Sequence, residues 1–542
     1  MNRLIIYVGI GIASILLSCN REKESKDDLA IEIDHLFSEW DSDKSPGAAV
    51  AILKEGEIIF KKGYGMANLE YGIPIEPSTK FYIASESKQF TAFCIALLAQ
   101  RGQLSLHDSI HKYLPELPNF GKKITIKDLI HHTSRLRNLN ELYSNSGTRV
   151  PEDVLTRSHA YKLIKGQRRL NFDPGERYIY CNTGYWLLGE IVKQITNKSL
   201  REFAAEEIFQ PLGMINTHFH DNYKELATNS AYSYQKDSAT FEKAISNYSV
   251  VGPAGIYTTV EDAAKWLMNY ETLVIGGQNV IDQMYELTVL NSGETLTYAF
   301  GLNIDRYKGW KRIGHGGHTA GFQSYMVRFP EENLGIIVFS NLRSFDQYTL
   351  AMSIADIFLE DKSELTNIST SDYKAKAGKY CNEEGWFCEL TNSSELEINI
   401  FGEAQELTPL TDSTFSFFHG FGRLKFFENK NDVFEIIYWD EKQLLRKYKS
   451  LSLSDSEMIN YEGTYLNNEV NGRYTISKED KQLVLKHEKY DDTMLNPIIV
   501  DQFSTTNGCT GNINFKRDAR GEIIGFEINS GRVLHLFFEK SI

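Results

Sequence analysis

One run constrains this chain more than any other: Phe81-Tyr-Ile-Ala-Ser85-Glu-Ser-Lys88-Gln-Phe-Thr91, continuing without a break into the apolar residues Ala92 to Ala99. A helix that is apolar on nearly every side must lie at the centre of a sizeable domain. Ser85 opens this helix and Gly102 closes it. A serine there sits among unpaired backbone N–H groups at the positive end of the helix dipole, which favours an alkoxide or an oxyanion. Lys88 follows one turn later on the same face, within reach of the Ser85 hydroxyl. Burial penalises the charged amine, so Lys88 is expected to be a neutral base near pH 7. The Ser-x-x-Lys spacing recurs at Ser109, Ser233 and Ser371, but only Ser85 joins an extended apolar run to a buried helix.

Two further stretches carry chemistry. In Phe172-Asp-Pro-Gly175-Glu-Arg-Tyr-Ile-Tyr180-Cys-Asn182, the Pro-Gly turn precedes an amphipathic helix expected from Gly184 onward, so Tyr180 and Asn182 are expected on the intervening loop. A phenol and an amide beside a Ser/Lys pair suit a proton shuttle and a clamp for a substrate amide. Tyr143-Ser-Asn145 matches the same pattern but lacks the flanking turn and helix. The other stretch, Ile313-Gly-His315-Gly-Gly317-His318, leads into the strand-like segments Tyr325–Phe329 and Leu334–Asn341. Glycines in a strand mark a place where another group approaches the backbone closely.

The order Ser85-x-x-Lys88, Tyr180-x-Asn182, His315-x-Gly317 resembles the penicillin-recognising serine hydrolases: class C-type beta-lactamases, D-Ala-D-Ala carboxypeptidases, D-aminopeptidases and related esterases. The resemblance spans about Ile33 to Phe358 and takes in Pro211-Leu-Gly-Met214, Gly252-Pro-Ala-Gly255 and Thr258-Thr-Val-Glu-Asp262. It implies an α/β fold, an antiparallel sheet flanked by helices plus an all-helical subdomain, with the site between them and no cofactor or metal. By position it implies Ser85 as the acylated nucleophile, Lys88 as its base and Tyr180 as the acid/base partner. Asn182 would hold the substrate amide, with His315 and Gly317 on the binding strand. The backbone N–H groups of Ser85 and His318 would form the oxyanion hole. Two departures stand out: Arg135 where relatives usually carry glycine, expected to redirect that loop, and Cys181, expected as an accessible thiol.

The rest of the chain sets the context. A net charge of -14 over 542 residues, without a basic cluster, argues against nucleic acid as a partner. Arg3 precedes an apolar run, Leu4 to Leu17, too short for an ordinary membrane span, which ends in Leu16-Leu-Ser-Cys19. That pattern resembles a bacterial lipoprotein signal, so residues 1–19 read as a leader with Cys19 as the lipid-bearing residue, and 20–30 as a tether. The expected location is an exported, membrane-anchored one, periplasmic, outer-membrane or cell-surface. The other cysteines are scattered and odd in number, which is no disulfide framework, although Cys381 and Cys388 could meet across a hairpin. His131-His132 reads as structural.

A hydrolase domain over 31–362 is followed by short alternating segments with turns. Ala377-Gly-Lys-Tyr380 is echoed by Glu462-Gly-Thr-Tyr465, and Gly422–Phe426 by Gly511–Phe515. These echoes predict two antiparallel β-barrel-like domains, 372–452 and 456–542, an arrangement that resembles the D-aminopeptidases. The expected function is an exported serine hydrolase acting through an acyl-enzyme on D-amino acid-containing peptides or amides, or on small esters. A beta-lactamase or D-Ala-D-Ala carboxypeptidase, and a catalytically dead binding protein, are the alternatives. Histidine at 315 is largely uncharged at neutral pH and anchors a carboxylate weakly, so uncharged amides, esters and N-terminal D-residues are expected over penicillins and free-carboxylate D-peptides.

Overall fold

The structure is a computed structural model that describes residues 26–362 and 373–541, except 385, 393–395, 401–402, 419–421, 428–429, 439–440, 450 and 506–510. Cys19, the expected leader and the Ser371 motif lie outside the described residues. Helix α1 (Lys26–Phe37) begins inside the stretch expected as tether, with His35 in its last turn. Strands β1 (Ala48–Lys54) and β2 (Glu57–Tyr64) form a hairpin. Its turn is made by Glu55 and Gly56, both at positive φ.

The buried helix is α2 (Ser87–Gln100), preceded by a 3-10 turn at Ala84–Glu86 that carries Ser85. Next in the chain come α3 (Leu139–Asn145), α4 (Asn182–Thr196) and α5 (Val260–Thr272), the last capped by the Thr259 hydroxyl. Strands β3 (Asn303–Tyr307), β4 (Trp310–Thr319), β5 (Phe322–Phe329) and β6 (Leu334–Ser340) then complete a six-stranded antiparallel sheet, followed by α6 (Gln347–Phe358). The sheet order is β3-β4-β5-β6-β1-β2.

Alternation along β1 explains why helices cover both faces. Ala48, Val50 and Ile52 join a core with Ile33 and Phe37 of α1 and Leu350 and Ile354 of α6. Ala49, Ala51 and Leu53 face the other way, into the core built around Phe90, Phe93 and Ile95 of α2 and Trp266 of α5. Each such fully buried large side chain contributes about 1.5–3 kcal/mol. Helices α3 and α4, with Arg157–Gly166 between them, make the helical part on the far side of α2.

Beyond the hydrolase part stand two antiparallel β units. The first is a nine-stranded sheet over Gly378–Tyr448, and the second a closed eight-stranded barrel from Gly463–Asn467 to Leu536–Lys540. The sequence echoes are structural: Gly378 and Gly463 have φ of +144° and +147°. The tyrosines two residues later each donate to a carbonyl four residues back, Tyr380 to Lys376 at 2.7 Å and Tyr465 to Tyr461 at 2.8 Å. Cys381 pairs in register with Phe387 and Cys388 with Tyr380, a one-residue offset that turns the two thiols to opposite faces; both are free.

Both units are fastened to the hydrolase part. Arg177 makes two hydrogen bonds to Glu384 of the first, at 2.9 and 2.7 Å. Arg137, its side chain fully buried, donates to the Leu534 and His535 carbonyls of the barrel and to Glu469. None of the described helices is long and apolar enough to cross a membrane.

Candidate active site

The three motif regions converge on one cleft of about 290 Å³. Ser85 sits on the short 3-10 turn because Ala84 before it is held at a φ of +46°, a conformation that costs an alanine free energy and turns the hydroxyl outward. Lys88 Nζ lies 3.1 Å from Ser85 Oγ and donates to the Pro253 carbonyl at 2.7 Å. That carbonyl is presented by Gly252 and Gly255, at φ of +113° and +114°, where a Cβ on Gly252 would strike the Tyr185 carbonyl at 2.5 Å. Lys88 is fully buried, and burial first, then the charge of Arg532, hold its amine well below the usual lysine range.

Tyr180 closes the far side, with the Lys88 amine 4.6 Å from its ring centroid. Burial raises its phenol above the ordinary value, against the opposing effect of a hydrogen bond with Ser85. The phenol therefore stays protonated, while the amine beside it is shifted towards its neutral form. Tyr180 lies on the loop as expected, whereas Asn182 is the first residue of α4, so the helix starts two residues before Gly184. The Asn138 side chain explains the early start by accepting from the Asn182 backbone N–H at 2.5 Å. Cys181 is buried, not accessible, and its thiol is pushed up to about 11.

Strand β4 supplies the opposite wall. Its pairing with β3 ends at Gly314, so His315 to Thr319 run along an edge that lines the cleft. A Cβ on Gly317 would stand 2.8 Å from the Ser85 backbone nitrogen, and one on Gly316 would overlap the Tyr348 hydroxyl. The glycines thus allow the strand to lie against the Ser85 turn, which brings Ser85 and His318 to one wall. His315 Nδ1 donates to the Gly316 carbonyl at 2.6 Å, leaving Nε2 to accept from the Tyr298 hydroxyl at 3.0 Å. This tautomer is neutral, and burial with Lys88 nearby pushes the imidazole down to about 3.

His131 faces the Tyr298 carbonyl and His132 accepts from the Cys181 N–H, both structural as expected. Tyr143 of the competing motif is buried in α3, away from the cleft. Arg135 takes a φ of +65°, so the loop keeps a conformation glycine favours rather than a new path. Stacking of its guanidinium 3.7 Å from the Phe172 ring and pairing with Glu176 at 3.1 Å offset the strain.

Sequence reasoning missed the roof. Tyr438 and Glu441 of the first β unit and Arg532 of the barrel all line the cleft. Burial raises the Glu441 carboxyl to about 7.

The profile of the beta-lactamase family matches residues 33–357. The chain belongs to the beta-lactamase family. This beta-lactamase family member is 30% identical over 305 residues to a D-aminopeptidase of Brucella anthropi, covering 55% of this chain and 56% of that one. It is 31% identical over 311 residues to Protein flp of Staphylococcus aureus, covering 55% and 60%. The chain thus spans little more than half the length of the curated relatives it matches. Its fold is similar to that of an octameric penicillin-binding protein homologue from Pyrococcus abyssi, with a TM-score of 0.56 and 24% identity over 78% of this chain and 100% of that one. The family places it among serine hydrolases of the peptidase or esterase type.

Proposed function

We propose that the protein hydrolyses amide or ester bonds of D-amino acid-containing peptides or amides, or of small esters, through an acyl-enzyme on Ser85. The observation that carries this reading is the buried Lys88 amine 3.1 Å from Ser85 Oγ, with its charged form disfavoured. Ser85 Oγ attacks the substrate carbonyl and its proton passes to Lys88 Nζ. The backbone N–H groups of Ser85 and His318 stabilise the oxyanion. Tyr180, hydrogen-bonded to Ser85, passes its phenol proton to the leaving group and recovers one from the Lys88 ammonium, so the proton taken from Ser85 ends on the leaving group, and Asn182 holds the substrate amide. Water then hydrolyses the acyl-enzyme by the reverse proton path. Export and lipid attachment at Cys19 belong to the same proposal, supported by the Leu16-Leu-Ser-Cys19 pattern.

A fluorophosphonate or beta-lactam probe, read by mass spectrometry, is expected to mark Ser85. Labelling that persists in Ser85→Ala overturns the assignment, and no labelling at all returns the chain to a binding protein on this scaffold. A screen of D-amino acid amides, D-peptides, short-chain esters and a chromogenic cephalosporin names the class. Efficient benzylpenicillin hydrolysis with little turnover of D-amino acid amides or esters moves the protein to the beta-lactamase alternative.

A further inference from the structure

The cleft wall contains a cation that the hydrolase part itself does not supply. Among the described residues lining the cleft, Arg532 is the one lysine or arginine, and it comes from the loop between the last two barrel strands, Ile523–Asn529 and Leu536–Lys540. Its guanidinium carbon stands 5.0 Å from the Tyr180 ring centroid, the same ring that Lys88 approaches. The backbone of this loop is fixed: the Arg532 carbonyl accepts from Asn138 N–H at 3.2 Å and from Asn171 Nδ2 at 3.0 Å, and Leu534 N–H donates to Asn171 Oδ1 at 2.8 Å.

The side chain is freer than the backbone. Among the described residues its single ion pair is with Glu141 at 3.9 Å, the outer limit of such a contact, and 41% of the side chain remains exposed to the cleft. Most of its donors are thus open to a ligand. The other titratable groups on the walls do not compete for that role. His315 is neutral, its Nδ1 committed to a carbonyl; burial and the Arg532 charge hold the His318 imidazole below its ordinary value; and Glu441, raised to about 7 by burial, only partly balances the guanidinium.

We propose that Arg532 is the anion anchor of this site, so that, on the hydrolase reading above, the preferred substrates carry a free carboxylate. A guanidinium presents a planar fork of N–H donors that matches a carboxylate through two hydrogen bonds. The barrel thereby provides the charge that His315 lacks, which reverses the substrate preference expected from His315 alone.

Two matched pairs test this: an N-acyl D-alanyl-D-alanine against its C-terminal carboxamide, and a nitrophenyl succinate against the methyl ester of its distal carboxylate. In the wild-type full chain, at least one pair is expected to favour the carboxylate in kcat/KM, by about ten- to a hundredfold. In Arg532→Ala that ratio is expected to fall towards one, and Arg532→Lys to restore part of it. Because the docking bonds use the Arg532 backbone, these variants retain them; Ser85 labelling by the fluorophosphonate checks that the site is intact. No carboxylate preference in either wild-type pair, or a preference that survives in Arg532→Ala, overturns the inference. With Ser85 labelled, such a result leaves the hydrolase reading standing; an unlabelled wild-type Ser85 overturns that reading and this one together.

Discussion

Replacing Arg137 by methionine keeps an apolar stem of similar reach and removes every polar contact the guanidinium makes. Those contacts are the Leu534 carbonyl at 3.1 Å, the His535 carbonyl at 2.8 Å, Gln167 Oε1 at 3.1 Å and Glu469 Oε2 at 2.8 Å. Removing one partner of a buried ion pair costs about 3–5 kcal/mol. Glu469 is 14% exposed and still accepts from the Arg168 N–H, so the lower end, about 3 kcal/mol, applies. That shifts the docking equilibrium of the 530–535 loop by on the order of a hundredfold. Hydrogen exchange read by mass spectrometry should show faster exchange in the 526–540 segments and around Asn138 and Asn182, with the central sheet unchanged. Urea unfolding monitored in parallel should show the barrel loosening before the hydrolase part. Wild-type protection at both segments, with an unchanged urea midpoint, would refute the claim that this residue fastens the loop.

Three further outcomes are expected. Ser85→Ala and Lys88→Ala should each lose most of the rate, and the double variant little more, because the pair acts as one unit; additive losses in steady-state kinetics would count against it. Folding holds His315 at about 3 and His131 at about 4, so the unfolded chain binds protons that the folded chain refuses. Stability should therefore be complete above about pH 6.5 and decline as pH falls towards 4, by roughly 1.4 kcal/mol per pH unit for each histidine; thermal unfolding at about pH 7.5 and 5 checks this, and His315→Asn should lose less on acidification. Cys19→Ala should release the protein from the membrane fraction or block its maturation, whereas a soluble wild-type protein would remove the lipid anchor.

The fold was legible where one local pattern dictated one outcome. The unbroken apolar run after Ser85 had to be buried, and the short apolar run Gly47–Leu53 before the Glu55-Gly56 turn suits a strand of a hairpin. The motif residues were legible because Gly317 and the Gly252–Gly255 turn bring distant groups together through backbone approach, which glycine marks in any sequence. Asn182 was placed one element too early because the Asn138 side chain that starts its helix lies 44 residues away. Nothing local in the sequence reveals that the Cys181 thiol is closed off by donating to the Leu136 carbonyl. Arg532 and Glu441 gave no signal at all. Glu441 is an ordinary charged residue in a strand and Arg532 one in a loop, and only the docking of two units, through contacts such as Arg137 and Arg177, turns them to the cleft.

That docking gives the active centre an order of assembly. Its groups arrive along the chain as Ser85 and Lys88, then Tyr180, then His315, then Glu441, and last Arg532. On the proposed mechanism, the nucleophile and its base are therefore made before the wall that Arg532 completes. A chain stopped after the hydrolase part would lack the cleft-lining residues Tyr438, Glu441 and Arg532. If Arg532 holds a substrate carboxylate, completion of the final β unit sets selectivity, and limited proteolysis within the barrel is expected to remove both that anchor and the charge that helps keep the Lys88 amine low.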